Sequence, residues 1–339
     1  MSMVLTQPVT GPRAWRGAEL GQDGPWLLEL TPAEQREIAI ALAHAVRTGT
    51  PMLHWQEATF PLDGLREKLR AIAHQLRDGL GFTILRGLDI SNYSDEEVGM
   101  IYWGLGLYLG EPLGQNPKGD LLGHVFDQGR KYGGLDVRGY ETSAYLPYHT
   151  DSCDFLGLMC LRQGLSGGLS SLVSSVSVHN AILAEHPEYL GLLYNGFYYI
   201  RREEALGGKG VSEAPVPVFG QTDGIVSCRY LRNQINAGAV KRGVPLTAME
   251  TEALDFLDAQ TQREDLRLDF MLRPGDMEFC NNYTVLHSRT EFADGPERSQ
   301  QRHMLRLWLK FHERWPVSEH FAEHRGYVLT ARGTVLAEA

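Results

Sequence analysis

From Arg302 to Phe311 the chain alternates without a break. His303, Leu305, Leu307, Leu309 and Phe311 fall on one side, and Arg302, Met304, Arg306, Trp308 and Lys310 on the other. Successive side chains of a strand point to opposite faces, so the pattern specifies a β-strand with one strongly apolar face. That face has to pack against something. The other carries Arg302 and Arg306, about 13 Å apart at ~3.3 Å per residue. Two arrangements fit. The guanidinium groups lie in water, or they point into a barrel whose outer face is covered by helices.

Helices to cover it are present upstream. Thr31-Pro32-Ala33-Glu34 is a capping box with proline at the first helical position, and the helix it opens runs to Gly49. Leu62, Leu65, Leu69, Ile72 and Leu76 recur at helical spacing until Gly79 and Gly81. The segment 82–88 reads as a strand, and Ser94 caps a third helix through Ile101, Leu105 and Tyr108. Residues 1–30 read as an irregular lead-in and 110–148 as loop, in which Gln115-Asn116 and Asp127-Gln128 are placed to line a cleft.

The continuous apolar run 155–161 is a buried strand, and the turn Gly167-Gly168 leads into a β-rich stretch over 170–178. A helix is expected over 179–195, a strand over 197–202, a turn-rich segment over 203–222 and a helix over 247–259. Residues 266–272, Pro274-Gly275-Asp276 and 277–282 read as a hairpin. Helices first and strands later describe an α+β chain with a β-core braced by helices. No linker divides it. The expected parts of the single domain are an N-terminal lead-in with helices (1–80), the core (81–315) and a C-terminal tail (316–339).

Composition removes several classes of function. The 339-residue chain carries a formal net charge of −10 and lacks a basic stripe, so a nucleic-acid partner is not expected. No stretch approaches the ~18 apolar residues of a membrane span, and the first residues lack the apolar core of a signal peptide. Cys153, Cys160, Cys228 and Cys280 form no C-x-x-C pair, which suits a reduced, cytoplasmic protein. Whether the chain forms a homo-oligomer is left open.

His149-Thr150-Asp151 is the sole H-x-D in a chain with 12 histidines. In a strand, residues i and i+2 project together, so both groups would enter one pocket. A bare H-x-D is weak, since about one is expected by chance. His287 ends an apolar run, where histidine is more often a core residue than a ligand. Two imidazoles and a carboxylate nevertheless make the facial set that holds non-haem Fe(II) and leaves positions open. Arg302 could clasp a cosubstrate carboxylate with two parallel hydrogen bonds. His303, His179 and His186 read as structural.

The segments YHTDSCDFLGLMCLRQGLSGGLSSLVSS and NNYTVLHSRTEF…RHMLRLWL resemble the two halves of the taurine dioxygenase (TauD/TfdA-like) family over roughly residues 80–312. The resemblance implies a double-stranded β-helix, or jelly-roll, fold and an oxygenase using Fe(II), 2-oxoglutarate and O2. It implies His149, Asp151 and His287 as iron ligands and Arg302 as the partner of the cosubstrate's distal carboxylate. Ser170 falls where the family often has a threonine touching that carboxylate. Arg306 matches a second family arginine, which either holds a substrate anion or assists the cosubstrate. Gln115, Asn116 and Tyr148 are further candidates for lining the substrate pocket. Asp151 stands where halogenating relatives carry a small residue, which favours oxygen transfer. Taurine itself is not implied, because the taurine pocket is not evidently reproduced.

The expected reaction is hydroxylation of an unactivated C–H bond of a small molecule, such as an amino acid derivative or specialised metabolite, with release of succinate and CO2. The same iron site could serve desaturation, epoxidation or cyclisation. Two competing classes are a metal-binding jelly-roll protein without turnover and a cupin-like metal hydrolase or isomerase.

Overall fold

The structure, a computed structural model, describes residues 4–317 apart from 22, 117, 132–137 and 202–209, and beyond them the backbone of 327–330 and 333–336. Two β-sheets form its centre. The larger contains β1 (Leu27–Glu29), β2 (Phe82–Arg86), β3 (Glu111–Leu113), β4 (Leu122–Val125), β6 (Phe155–Arg162), β12 (Met277–Asn281) and β15 (His303–Lys310). Its order is β1-β2-β12-β6-β15-β3, with β4 also paired to β15. The smaller contains β5 (Leu146–His149), β8 (Ser170–Ser174), β11 (Arg267–Phe270) and β13 (Val285–Arg289), in the order β11-β8-β13-β5. The architecture is therefore a mixed seven-stranded sheet and an antiparallel four-stranded sheet with helices.

Three apolar layers explain the stacking. Between the sheets, Phe82, Ile84, Leu156, Met304 and Trp308 of the larger meet Leu172, Leu268, Phe270 and Val285 of the smaller. Outside the larger sheet, Leu305, Leu307, Leu309 and Phe279 pack on α2 (Pro32–Thr48), α3 (Arg66–Asp78) and α4 (Asp95–Gly106). Outside the smaller, Val173 and Leu286 pack on α5 (Ser175–Glu185), α6 (Pro187–Asn195) and α8 (Ala248–Thr261). The alternation of β15 is thereby decided: leucines face helices, and arginines face the space between the sheets.

The capping signals behave as expected. Thr31, Ser94 and Thr247 each close a capping box with a glutamate three residues on, and Gly49 ends α2 in the left-handed conformation. Leu62 and Leu65 are fully buried but precede α3.

Other expectations are corrected. The lead-in holds the short helix α1 (Gly17–Leu20) and β1, which extends the larger sheet beside β2. The 110–148 region includes β3 and β4, which cover the edge of β15. Ser175–Val178 belong to α5, because Ser174 caps a helix there despite the β-rich composition. Residues 179–195 hold two helices broken at His186, since Pro187 starts the second. Of the expected strand at 197–202, the described residues 197–201 show only isolated bridges at Phe197 and Ile200. Gly207 and Gly208 of the turn-rich stretch lie outside the described residues.

The chain also contains the unexpected hairpin of β9 (Phe219–Thr222) and β10 (Ile225–Cys228) and helix α7 (Arg232–Arg242). A minor ladder joins β7 (Ser166–Gly167) to β14 (Phe292–Ala293). Another joins β16 (Tyr327–Thr330) to β17 (Gly333–Leu336), so the expected tail contains a hairpin.

The largest correction concerns 266–282. β11 pairs with β8 and β12 with β2 and β6, so these neighbours in sequence lie in different sheets. The turn between them is a crossing from sheet to sheet. Among the described residues, no helix is long and apolar enough to cross a membrane.

Candidate metal centre

β5 and β13 are paired so that His149 sits directly opposite His287. Their rings lie 4.2 Å apart, centroid to centroid. Alternation turns Val285 and His287 toward the space between the sheets and Leu286 toward the outer helices. Asp151 is not on the strand, because β5 ends at His149. Its backbone is instead fixed by its N–H, which donates to Asn282 Oδ1 at 2.8 Å. The three groups still converge. One donor atom from each of His149, Asp151 and His287 lies within 4.8 Å of the others.

The donors are prepared for a cation. His149 Nδ1 donates to the Pro147 carbonyl at 2.8 Å, which leaves Nε2 with its lone pair, 3.8 Å from Asp151 Oδ1. Asp151 Oδ2 is occupied separately: it accepts from Trp308 Nε1 at 2.8 Å and Arg306 Nη1 at 3.3 Å. His287 Nδ1 is buried without a hydrogen-bond partner. Burial pushes the His287 pKa down to about 3, helped by the neighbouring imidazole, and also lowers that of His149. Burial alone would raise the pKa of Asp151, but Arg306, the imidazoles and the Trp308 N–H hold it below its ordinary value. At neutral pH the centre thus offers two neutral imidazoles and one carboxylate. The donor set and its protonation fit Fe(II).

Arg306 braces this centre. Its Nε donates to Gln115 Oε1 at 2.7 Å, and its guanidinium lies 4.4 Å from the Tyr140 ring. Gln115 is committed too, donating from Nε2 to the carbonyls of Arg306 at 2.8 Å and Leu121 at 3.0 Å. Asn116 serves its own loop, accepting from Lys118 N and bonding Asp120. Tyr148 is corrected as a pocket residue. It lies on the opposite face of β5, packed in the outer core, with its hydroxyl bonded to Ser171.

Arg302 immediately precedes β15 and is only 4% exposed. Its Nη1 is buried without a partner, and burial pulls its pKa down to about 10. Gly168 gives it room: a Cβ there would stand 3.0 Å from Arg302 Nε. Ser170 of β8 is buried near Glu278, whose charged form it favours. Trp308, Asn282, Tyr140 and Glu278 were not singled out from sequence. Only the alternation of β15 hinted at Trp308, by placing it on the arginine face.

Over residues 45–308 the chain matches the model of the taurine catabolism dioxygenase TauD, TfdA family. The chain belongs to that family. This TauD/TfdA-family protein is accordingly a non-haem iron, 2-oxoglutarate-dependent dioxygenase. It is 31% identical to FR-33289 synthase of Streptomyces rubellomurinus over 91% of this chain and 92% of that one. It is 29% identical to a taurine hydroxylase-like protein of Stachybotrys chartarum over 87% of this chain and 77% of the other. Among solved structures, an asparagine oxygenase with Fe(II), hydroxyasparagine and succinate superposes with a TM-score of 0.66, at 19% identity, over 84% of this chain and 93% of that one. The non-haem iron oxygenase OrfP with iron and 2-oxoglutarate gives 0.61 at 17%, over 84% and 94%. At these identities the two structures speak to the fold.

Proposed function

We propose that His149, Asp151 and His287 hold Fe(II), that Arg302 and Ser170 hold the distal carboxylate of 2-oxoglutarate, and that the enzyme hydroxylates an unactivated C–H bond of a small molecule. The observation that carries this reading is the buried, unpaired Nη1 of Arg302 in the same inter-sheet space as the clustered donors. A buried guanidinium N–H without an acceptor is costly unless a ligand supplies one, and a carboxylate supplies it best. When bound, iron with 2-oxoglutarate and O2 provides the oxidising power, and succinate and CO2 leave. The chain's own groups orient and exclude. Pro147 fixes the His149 tautomer, Trp308 and Arg306 aim Asp151, and the apolar layer between the sheets keeps water out.

Arg306 is assigned to orienting Asp151 rather than to a substrate anion, because its Nε and Nη1 are already engaged. An amino acid derivative is the favoured substrate class. Two structural neighbours carry hydroxyasparagine and hydroxyarginine. The two sheets sharing one apolar layer are read as a double-stranded β-helix. Residues 1–80 and 81–315 are read as one domain, since β1 joins the larger sheet and α2 and α3 pack on it. Four free, buried cysteines suit the cytoplasm.

Anaerobic addition of Fe(II) and 2-oxoglutarate tests the reading. The wild type should develop the metal-to-ligand charge-transfer band of the chelated cosubstrate. Arg302→Ala should need far more 2-oxoglutarate to reach it. A wild type without the band would defeat the assignment. A succinate-release screen over amino acid derivatives then addresses the substrate.

A further inference from the structure

Glu278 is the group that the reading above leaves unused. It lies on β12, whose neighbours Met277 and Phe279 pack against the outer helices, so its own side chain turns inward between the sheets. It is 1% exposed. Ser170 and Arg302 are both near enough to favour its charged form. Among the described residues, however, no ion pair joins Glu278 to Arg302. Glu278 Oε2 and Arg302 Nη1 are both buried without a hydrogen-bond partner. Two buried, unsatisfied groups of opposite character near one another point to a ligand between them. A carboxylate placed there accepts from Arg302. It can be tolerated beside Glu278 only if Glu278 is protonated and donates, because two carboxylates cannot both stay ionised in such a site.

We propose that Glu278 is a third member of the cosubstrate-carboxylate pocket, which donates a hydrogen bond to that carboxylate in its neutral form and makes 2-oxoglutarate binding take up a proton. This rests on the assignment of Arg302 and Ser170 to the distal carboxylate. The proton comes from solvent when Glu278 starts out ionised, and no covalent bond changes.

The surroundings single Glu278 out as the group that titrates near neutrality. Burial, partly offset by Arg302 and Ser170, raises its pKa to about 7. Cys280 of the same strand, Cys160 of β6 and Tyr102 of α4 are all pushed upward by burial, away from neutrality. On the far side of Arg302, Asp294 Oδ1 accepts from the Arg302 backbone N–H at 2.7 Å. Asp276 is paired with Arg86 at 2.9 Å.

The test is anaerobic calorimetry of the full Fe(II)-loaded chain with 2-oxoglutarate between about pH 6 and pH 8.5, in two buffers of different ionisation heat. Wild type should take up close to one proton per ligand above about pH 7, and its affinity should fall up to about tenfold per pH unit. Glu278→Gln, which is neutral at every pH and keeps a donor, should match wild type at about pH 6 and bind roughly tenfold tighter at pH 8, with no proton uptake. 2-Oxobutyrate chelates the metal but lacks the distal carboxylate, so its affinity should show no Glu278-dependent slope.

The proposal is overturned if wild type binds without proton uptake. It is equally overturned if Glu278→Gln keeps the wild-type slope or binds more weakly at pH 8, as an ionised partner of Arg302 would require. Should Glu278→Gln fail to fold, the wild-type proton count and the 2-oxobutyrate comparison still decide. Arg302→Ala separates the two layers: unchanged affinity there removes the carboxylate assignment itself, whereas lost affinity with a retained slope in Glu278→Gln removes only the role of Glu278.

Discussion

Asp151 divides its two oxygens between tasks. Oδ1 faces His149 Nε2, while Oδ2 is held by Trp308 and Arg306. Such outer partners set ligand orientation and typically change metal affinity ten- to hundredfold. Trp308→Phe keeps the ring and removes the donor. Iron affinity, read by competition with a chromogenic chelator, should fall by roughly that factor. Unchanged affinity would remove Trp308 from the account.

Glu278 makes a second prediction at this scale. Its folded pKa is about 7, above the ordinary 4.5 of a glutamate. Its neutral form is therefore favoured by folding. The associated stability is complete below about pH 4.5 and lost as pH rises through 7, on the order of 3 kcal/mol by pH 8. Chemical denaturation of Glu278→Gln should show a gain over wild type at pH 8 that disappears near pH 4. A gain independent of pH would contradict the assignment. The candidate metal donors were legible in the sequence because their residue types and order carry the chemistry. Trp308 and Glu278 were not, since nothing local reports that a side chain meets a group more than a hundred residues away.

At the scale of elements, what the sequence revealed was local. Capping boxes at Thr31, Ser94 and Thr247 marked helix starts because the bonds that make them lie within four residues. Pairing partners were hidden, because a turn does not state which sheet the chain enters next. Pro274-Gly275-Asp276 looked like a hairpin turn and is a crossing between sheets. Gly275 has φ +88°, and a Cβ there would stand 2.0 Å from the Leu88 carbonyl oxygen. Gly275→Ala should therefore destabilise by about 2 kcal/mol or more in denaturant unfolding. A neutral effect would mean the crossing is looser than it looks. The serine- and valine-rich 175–178 misled for a related reason: Ser174 caps a helix whose stability comes from packing on the smaller sheet, which composition does not show.

At the scale of the molecule, the smaller sheet brings His149, at the end of one strand, and Asp151, just past it, against His287 in the neighbouring strand, while Arg302 enters the larger sheet with its guanidinium buried. The α+β class was legible from the order of elements; the strand order was not, because it depends on pairings between distant segments. Metal should stabilise the whole fold, since the folded state gathers donors that unfolding disperses. At a hundredfold excess over Kd the gain is about 2.7 kcal/mol, and thermal unfolding should shift upward with Fe(II) or Mn(II). Asp151→Ala should lose most of that shift; an equal shift would place the metal elsewhere.

The most direct measurement is an anaerobic crystal structure of the complex with Fe(II) and 2-oxoglutarate. It should show iron bound by one nitrogen each of His149 and His287 and one oxygen of Asp151, with the far carboxylate of the diacid on Arg302. Iron bound by other side chains, or that carboxylate lying away from Arg302, would contradict the account.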